Sequence, residues 1–253
     1  MDRRFWQVML RFPLATIRRL AALNLGVLRD ARAVPSLVRA LQDSHPRTRE
    51  ASTDALGLIG DRSAVFDLVQ RLTDEDWNVR RVAAAALGQI EDSRASAGLV
   101  RLLDDTDLVD DPGLVYAAVN ALGQIGGPSA VEALAGRLND ESAEMRWQVT
   151  QALAGLKDSR SFDPLIEVLR HPEMLARLRI NDSLAASFVA RERATQASYL
   201  RGMAAYHLGF SLEDPRALEP LMTAYGEARG ESWEDRSRKS TILEAIRRLR
   251  DLD

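Results

Sequence analysis

Residues 80–103 read RRVAAAALGQIEDSRASAGLVRLL and contain one complete structural unit. The unit begins at Arg80, runs through four alanines and reaches a Leu-Gly pair at Leu87-Gly88. Alanine has the highest helix propensity and lets neighbouring helices approach closely. After the polar break at Asp92, small and apolar residues recur with the i, i+3, i+4, i+7 spacing of an amphipathic helix. The stretch therefore predicts two helices joined by a short turn, with the Asp92 carboxylate capping the second helix.

The unit recurs along the chain, with 31 residues between the first three Leu-Gly pairs and 35 before the fourth. An arginine stands seven residues before the leucine in five of six copies. The copies are Leu25-Gly26, Leu56-Gly57, Leu87-Gly88, Leu122-Gly123, Leu153-Ala154 and Leu208-Gly209. A helix pair this short cannot bury its apolar face alone, whereas stacked pairs share a continuous core. We predict an all-α fold, a right-handed α-solenoid of about six to seven helix pairs without a β-sheet.

The pattern resembles the HEAT-like repeats of the phycobilisome-lyase family. The resemblance rests on the Leu-Gly pairs, the preceding arginines, the Asp/Arg breaks and a Leu-x-Asp end of the second helices, as in Leu41-Gln42-Asp43. It covers residues 14–170 well and residues 198–251 poorly. It implies that an aspartate closing one unit and the arginine six residues later, such as Asp43 and Arg49, form a ladder between units. It also implies that the second helix of each unit lines the concave side.

The composition disfavours several classes of function. The 253 residues include no cysteine and three histidines, and the formal net charge is -3. Disulfides, iron–sulfur clusters and thiol nucleophiles are therefore excluded, and no phosphate loop, His-Glu-x-x-His or Gly-x-Ser-x-Gly motif occurs. We expect no cofactor, no metal and no enzyme activity. The net acidity disfavours nucleic-acid and membrane partners, and the absence of cysteine fits a cytoplasmic protein.

We predict a single solenoid over residues 1–253. Its parts are an N-terminal cap with the first unit (1–32), regular repeats (33–171), an insertion (172–197) and degenerate C-terminal repeats with a cap (198–253). The insertion is either a longer connection with an extended helix or a partner-binding element. The acidic run at residues 104–113 lacks the spacing of a calcium loop, so it favours a solvated turn.

The solvent-facing rows of the second helices are the candidate partner-binding surface on the concave side. The candidates are Arg39, Phe66, Arg71, Arg101, Leu102 and Arg137. Arginine and aromatic residues are frequent anchors of interfaces. The rows fit either an ordinary solvated face or a groove for an acidic, partly apolar protein segment. Trp77 and Trp147 lie near helix starts, where half-buried packing is favoured over ligand contact.

These observations favour a non-catalytic protein–protein interaction scaffold or adaptor. The resemblance implies one alternative, a lyase-like or chaperone-like factor acting on a tetrapyrrole (bilin)-carrying protein. The oligomeric state and the identity of the partner stay open at this point.

Overall fold

The computed structural model describes residues 2–104, 111–140, 143–156, 158–170, 201–210, 212, 214–227 and 233–250. Helices and short turns make up this part of the chain and it contains no β-strand, which confirms the all-α prediction. The chain divides into two compact units, Met1–Ala130 and Val131–Asp253. The finer division of a single 1–253 solenoid stays a prediction. The insertion 172–197 and most of the acidic run 104–113 lie outside the described residues.

The first unit alternates short and long helices. In chain order they are α1 (Arg3–Met9), α2 (Ala15–Leu28), α3 (Val34–Ala40), α4 (Pro46–Ile59), α5 (Val65–Arg71), α6 (Trp77–Ile90), α7 (Ser96–Asp104) and α8 (Pro112–Ile125). The long helices α2, α4, α6 and α8 have 14 residues each and pack on one another in that order. Each short helix packs on the long helix that follows it. The unit is therefore a stack of helix pairs in two layers.

The second unit continues the alternation. Its helices are α9 (Pro128–Gly136), which crosses the division, α10 (Ala143–Gly155), α11 (Phe162–Arg170), α12 (residues 201–210), α13 (Leu218–Glu227) and α14 (Trp233–Arg250). Helix α13 packs on both α11 and α14. Ala245 of α14 lies against Gly209 of α12, so the contact between long helices recurs here.

Aspartates in the breaks determine where the short helices begin. The Asp61 carboxylate accepts a hydrogen bond from the Ser63 amide at 2.8 Å, and the Asp92 carboxylate accepts one from the Arg94 amide at 3.0 Å. Each aspartate caps a single 3₁₀ turn that leads into α5 or α7. The predicted caps are present, but they act on this turn rather than on the α-helix itself, because the 3₁₀ turn supplies the first unpaired amides.

The Leu-Gly pairs mark where consecutive long helices touch. A Cβ placed on Gly26 would lie 2.8 Å from the Cα of Ala55, and one placed on Gly57 would lie 2.8 Å from the Cβ of Ala86. No side chain fits in such a space, so the long helices meet backbone to backbone. The short helices stay farther apart, and Gly98 of α7 faces a side chain of α5 rather than its backbone. The layer of long helices is therefore the more tightly spaced of the two.

An arginine–aspartate ladder joins successive pairs in a register that differs from the expected one. The Nε and Nη2 atoms of Arg18 donate to the Asp43 carboxylate at 2.6 and 2.8 Å, and those of Arg49 donate to the Asp74 carboxylate at 3.0 and 2.7 Å. The carboxylate partner thus lies 25 residues after the arginine. The predicted side-chain pair of Asp43 with Arg49 is wrong, because Asp43 already binds Arg18. Arg49 Nη1 instead donates to the main-chain oxygen of Asp43 at 3.0 Å.

Candidate protein-binding surfaces

The structure separates the two rows of short-helix residues that the sequence placed together. Arg39, Gln70 and Arg101, which occupy equivalent positions in α3, α5 and α7, are all exposed. Phe66 of α5, one turn before Gln70, is 62% exposed. These side chains form the part of the predicted surface that another molecule can reach.

The adjacent row turns inward. Leu102 is only 5% exposed, so the prediction that it projects into solvent is wrong. Arg71 is partly buried, and its Nη1 donates to the main-chain oxygen of Leu41 and to the Asp74 carboxylate, both at 3.2 Å. Consecutive residues of a helix point about 100° apart, so a row next to an exposed one can lie between helix pairs.

Phe66 lies beside a guanidinium group that already has a carboxylate partner. The Cζ of Arg94 is 5.5 Å from the centre of the Phe66 ring, and Arg94 Nε and Nη2 donate to the Asp92 carboxylate at 2.9 and 2.7 Å. Hydrogen bonds from the Arg94 side chain and main chain lower the pKa of Asp92 to about 2. An acidic partner would therefore meet Arg39 or Arg101 before it competed for Arg94.

Arg137 belongs to the second unit, where its Nη1 lies 3.7 Å from the Asp140 carboxylate. The other five candidates lie in the first unit. The reachable part of the predicted surface there consists of Arg39, Phe66 and Arg101, which we call the Phe66 face. The role of all six candidates in binding stays a prediction.

A second surface lies on the solvent side of the long helices, where the sequence predicted half-buried packing of Trp77. Trp77, the first residue of α6, is 51% exposed, and its ring centre is 5.3 Å from the Cζ of Arg81. Tyr116, which is half-buried, occupies the position of Arg81 in the next long helix, α8. We call these three residues the Trp77 face. The sequence spacing indicates this surface, since Trp77 and Arg81 are one helical turn apart and neither belongs to the buried stripe of the helix.

The described residues include no group of three or more His, Asp or Glu side chains that could hold a metal ion. No helix among them is long and apolar enough to cross a membrane. Burial raises the pKa of Asp54 on α4, with a further contribution from the charge of Glu50, and burial lowers the pKa of His207 on α12. Both shifts follow from desolvation of the charged form.

Comparison with known proteins places the chain among repeat proteins. A family model described as HEAT repeats matches residues 6–71, 49–111, 65–154 and 108–185. No protein of curated function matches the sequence.

Several solved structures have a similar fold. The complex of CpcE and CpcF of phycocyanin lyase from Nostoc sp. PCC7120 aligns over 100% of this chain and 93% of that chain, with 23% identity and a TM-score of 0.55. Importin beta aligns over 96% of this chain but 35% of its own length, with 15% identity and a TM-score of 0.57. Kap95p, in a structure with RanGDP, aligns over 98% of this chain and 35% of its own, with 15% identity and a TM-score of 0.59. At these identities the likeness is one of fold.

The four HEAT-repeat matches overlap and together extend from residue 6 to residue 185. That span is more than half of the 253 residues and includes the Leu-Gly contacts and the arginine–aspartate ladder of the first unit. The chain is therefore a member of the HEAT-repeat family, and it folds as an all-α solenoid of stacked helix pairs.

Proposed function

We propose that this protein is a non-catalytic scaffold that binds another protein on the concave side of its first unit. The observation that supports the proposal most directly is the exposed Trp77 stacked with Arg81 on a solvent-facing helix surface. Tryptophan, tyrosine and arginine are the residues enriched at the energetic centres of protein interfaces. The Trp77 face contains one of each. Kap95p, which has a similar fold, binds RanGDP, and this supports a protein as the kind of partner.

The packing of the first unit supports the long-helix side as the concave one. Long helices touch through glycine and alanine, whereas short helices are held apart by side chains such as Val69. When the two layers of a stack differ in spacing, the stack curves toward the tighter layer. The Trp77 face lies on that tighter layer. The resemblance instead implied the short-helix side, and the Phe66 face on that side stays a competing prediction.

The partner that suits the Trp77 face is an acidic, partly apolar protein segment. The indole ring supplies apolar area, and the Arg81 guanidinium supplies a flat cation able to bind a carboxylate with two hydrogen bonds. Arg47 on α4 lies 3.0 Å from Glu50, so that neighbouring pair contributes little net charge.

The experiment compares two matched double variants. A pull-down from the native source with mass spectrometry identifies a partner, and its affinity is then measured for the purified chain. Trp77→Ala with Arg81→Glu should weaken binding roughly thirtyfold or more, which corresponds to the loss of a hot spot of about 2 kcal/mol. Phe66→Ala with Arg101→Glu is the control, because it removes the same kinds of group from the short-helix side.

The fold of each variant is checked by circular dichroism, since exposed substitutions should change stability by no more than about 0.5 kcal/mol per site. A loss confined to the Phe66 and Arg101 variant would place the interface on the short helices. Full affinity in both variants would refute binding through either face.

A role in acting on a tetrapyrrole-carrying protein stays a hypothesis. The 23% identity to the phycocyanin lyase complex is a likeness of fold, and it does not carry an activity to this chain. Visible absorbance from a pigment that co-purifies with the chain would favour this alternative over a scaffold.

A further inference from the structure

Helix α1 occupies the place of a short helix in the repeat. It begins and ends 31 residues before α3, which is the spacing between successive helix pairs. It also contacts the next pair, because Gln7 Nε2 donates to the main-chain oxygen of Arg32 at 3.0 Å and to Ser36 Oγ at 3.3 Å. Among the described residues α2 is the first long helix, so no described long helix packs on the face that α4 turns toward α2.

One face of α2 is exposed in the part of the chain that the structure describes. In α4 the corresponding positions are Ala51, Ala55 and Leu58, of which Ala55 and Leu58 pack on Gly26 of the preceding long helix. Leu20, Asn24 and Val27 occupy these positions in α2. Leu20 is 51% exposed and Val27 is 76% exposed. We call the surface formed by Leu20, Asn24, Val27 and the exposed Phe5 of α1 the open end.

The last described helix, α14, is built differently. Its Ala245 lies against Gly209, as Ala55 lies against Gly26. In α4, Gly57 lies two residues after Ala55. The equivalent position in α14, two residues after Ala245, is the exposed Arg247. An arginine in the glycine position blocks close approach of another helix and gives a polar outer face, as the terminal repeats of solenoids commonly do. The open end of the first unit has no comparable polar residue at its centre except Asn24.

The surroundings of the open end are basic. The first 32 residues contain seven arginines and two aspartates, whereas the whole chain has a net charge of -3. Arg4 beside Phe5 and Arg19 beside Leu20 are both exposed. Asp30 binds Arg3 and Arg32, so it does not offset these two charges. A binding partner with carboxylates on either side of an apolar stripe would match this pattern.

We propose that the open end binds an amphipathic helix of another protein, with small residues on its contact stripe and acidic residues on its flanks. A helix is favoured because the same face of α4 receives a helix, and small residues are needed because Leu20 and Asn24 are larger than the alanines they replace. A second copy of this chain is disfavoured, since symmetric pairing would bring Arg19 toward its own equivalent and like charges at an interface are costly. The proposal does not depend on the Trp77 face.

The test uses a defined peptide rather than a partner from a lysate. The probe is a fluorescent peptide of residues 77–90, held helical by a hydrocarbon staple, with Arg80 and Arg81 replaced by glutamate. The same peptide with its two arginines kept is the charge control. Binding to the full chain is followed by fluorescence anisotropy at low salt. The variant is Leu20→Ser with Val27→Ser, and its matched control is Met222→Ser, which removes a similarly exposed apolar group in the second unit.

The glutamate peptide should bind the wild-type chain and the Met222→Ser control equally. It should bind the Leu20→Ser, Val27→Ser variant at least tenfold more weakly. Arg19→Glu should also weaken binding of the glutamate peptide at low salt. The arginine peptide should bind the wild-type chain and every variant poorly. Equal binding of both peptides, or no loss in the serine variant, would overturn the proposal. If the chain sedimented with phosphatidylserine vesicles but did not bind the peptide, the open end would bind a lipid surface and the proposal would be wrong. A dimer in the ultracentrifuge that the serine variant abolishes would indicate a second copy.

Discussion

Replacing Arg49 by methionine should lower the free energy of unfolding of the first unit by about 3 kcal/mol. The Arg49 guanidinium is almost fully buried and donates two hydrogen bonds to the Asp74 carboxylate, at 3.0 and 2.7 Å. Methionine fills a similar volume but leaves the carboxylate buried without its main cation. A buried charge that loses its partner in this way costs about 3–5 kcal/mol.

The lower end of that range applies because Asp74 keeps two other donors. Arg71 Nη1 lies 3.2 Å from the carboxylate, and the Asp76 amide donates to it at 3.0 Å. For a chain of this size, 3 kcal/mol corresponds to a decrease in melting temperature of about 6–12 °C. Adding Asp74→Asn to Arg49→Met should restore roughly half of the loss, because the amide oxygen still accepts from Asp76 while the unpaired charge is gone.

The effect should depend on pH in a definite direction. Burial alone would raise the pKa of Asp74, but the hydrogen bonds from Arg49 and the Asp76 amide, with the charges of Arg49 and Arg71, lower it below its ordinary value. A carboxyl with a lowered pKa in the folded state adds stability above its unfolded pKa of about 3.9, and that stability is lost as the pH falls through the folded pKa. The difference in the free energy of unfolding between wild type and Arg49→Met should therefore be largest at pH 7 and should decrease toward pH 3.

Urea unfolding followed by circular dichroism at pH 7 and pH 3 measures both effects. Arg32→Met is the control, because Arg32 forms the same kind of pair with Asp30 but is exposed, and its unfolding midpoint should not move. An Arg49→Met midpoint equal to that of wild type at pH 7 would refute a stabilising ladder. A difference that stayed constant with pH would show that lost packing, rather than the charge of Asp74, causes the destabilisation.

Three further predictions concern packing and titration. Gly57→Leu should destabilise the first unit by about 1–3 kcal/mol in thermal unfolding, because a Cβ at this position already meets the next long helix. Gly136→Ala is the control, because the space around Gly136 is open, and it should be neutral or stabilise the protein by up to about 1 kcal/mol. The Asp92 carboxyl should titrate near pH 2 by NMR, and Arg94→Met should raise its pKa toward the ordinary value. Burial lowers the pKa of His207, so acidification from pH 7 to pH 5 should destabilise the second unit, and His207→Gln should remove that slope.

The repeat could be predicted from the sequence because its constraints are local and recur. Gly57 lies two residues after Ala55, and Ala86 lies 31 residues after Ala55. This pattern is enough to predict the close contact between Gly57 of one long helix and Ala86 of the next. The register of the ladder could not be predicted, because Asp43 is six residues before Arg49 in the chain and equally available to Arg18. Only the packing of the pairs decides which guanidinium reaches the Asp43 carboxylate.

The candidate surfaces were predictable to the level of a helix face and no further. Arg101 and Leu102 are neighbours in sequence, yet one is exposed and the other lies in the core. A pattern of apolar residues fixes the centre of the buried stripe, whereas the positions at its edge depend on how closely the next pair approaches. The exposure of Trp77 could not be predicted for the same reason, since its position at a helix start fits both packing and exposure.

The departures from the repeat carry more functional information than the repeat itself. Positions that keep the pattern, such as Gly57 and Ala86, are explained by the stacking of helices and leave nothing for a partner to recognise. Leu20 in the place of Ala51, and Arg247 in the place of a glycine, are changes that internal packing does not require. The arginine gives the last described helix, α14, a charged residue at an exposed position, and the leucine makes α2 apolar where it faces solvent. Because exposed apolar area is unfavourable unless something covers it, the leucine end offers a protein partner apolar surface to bury.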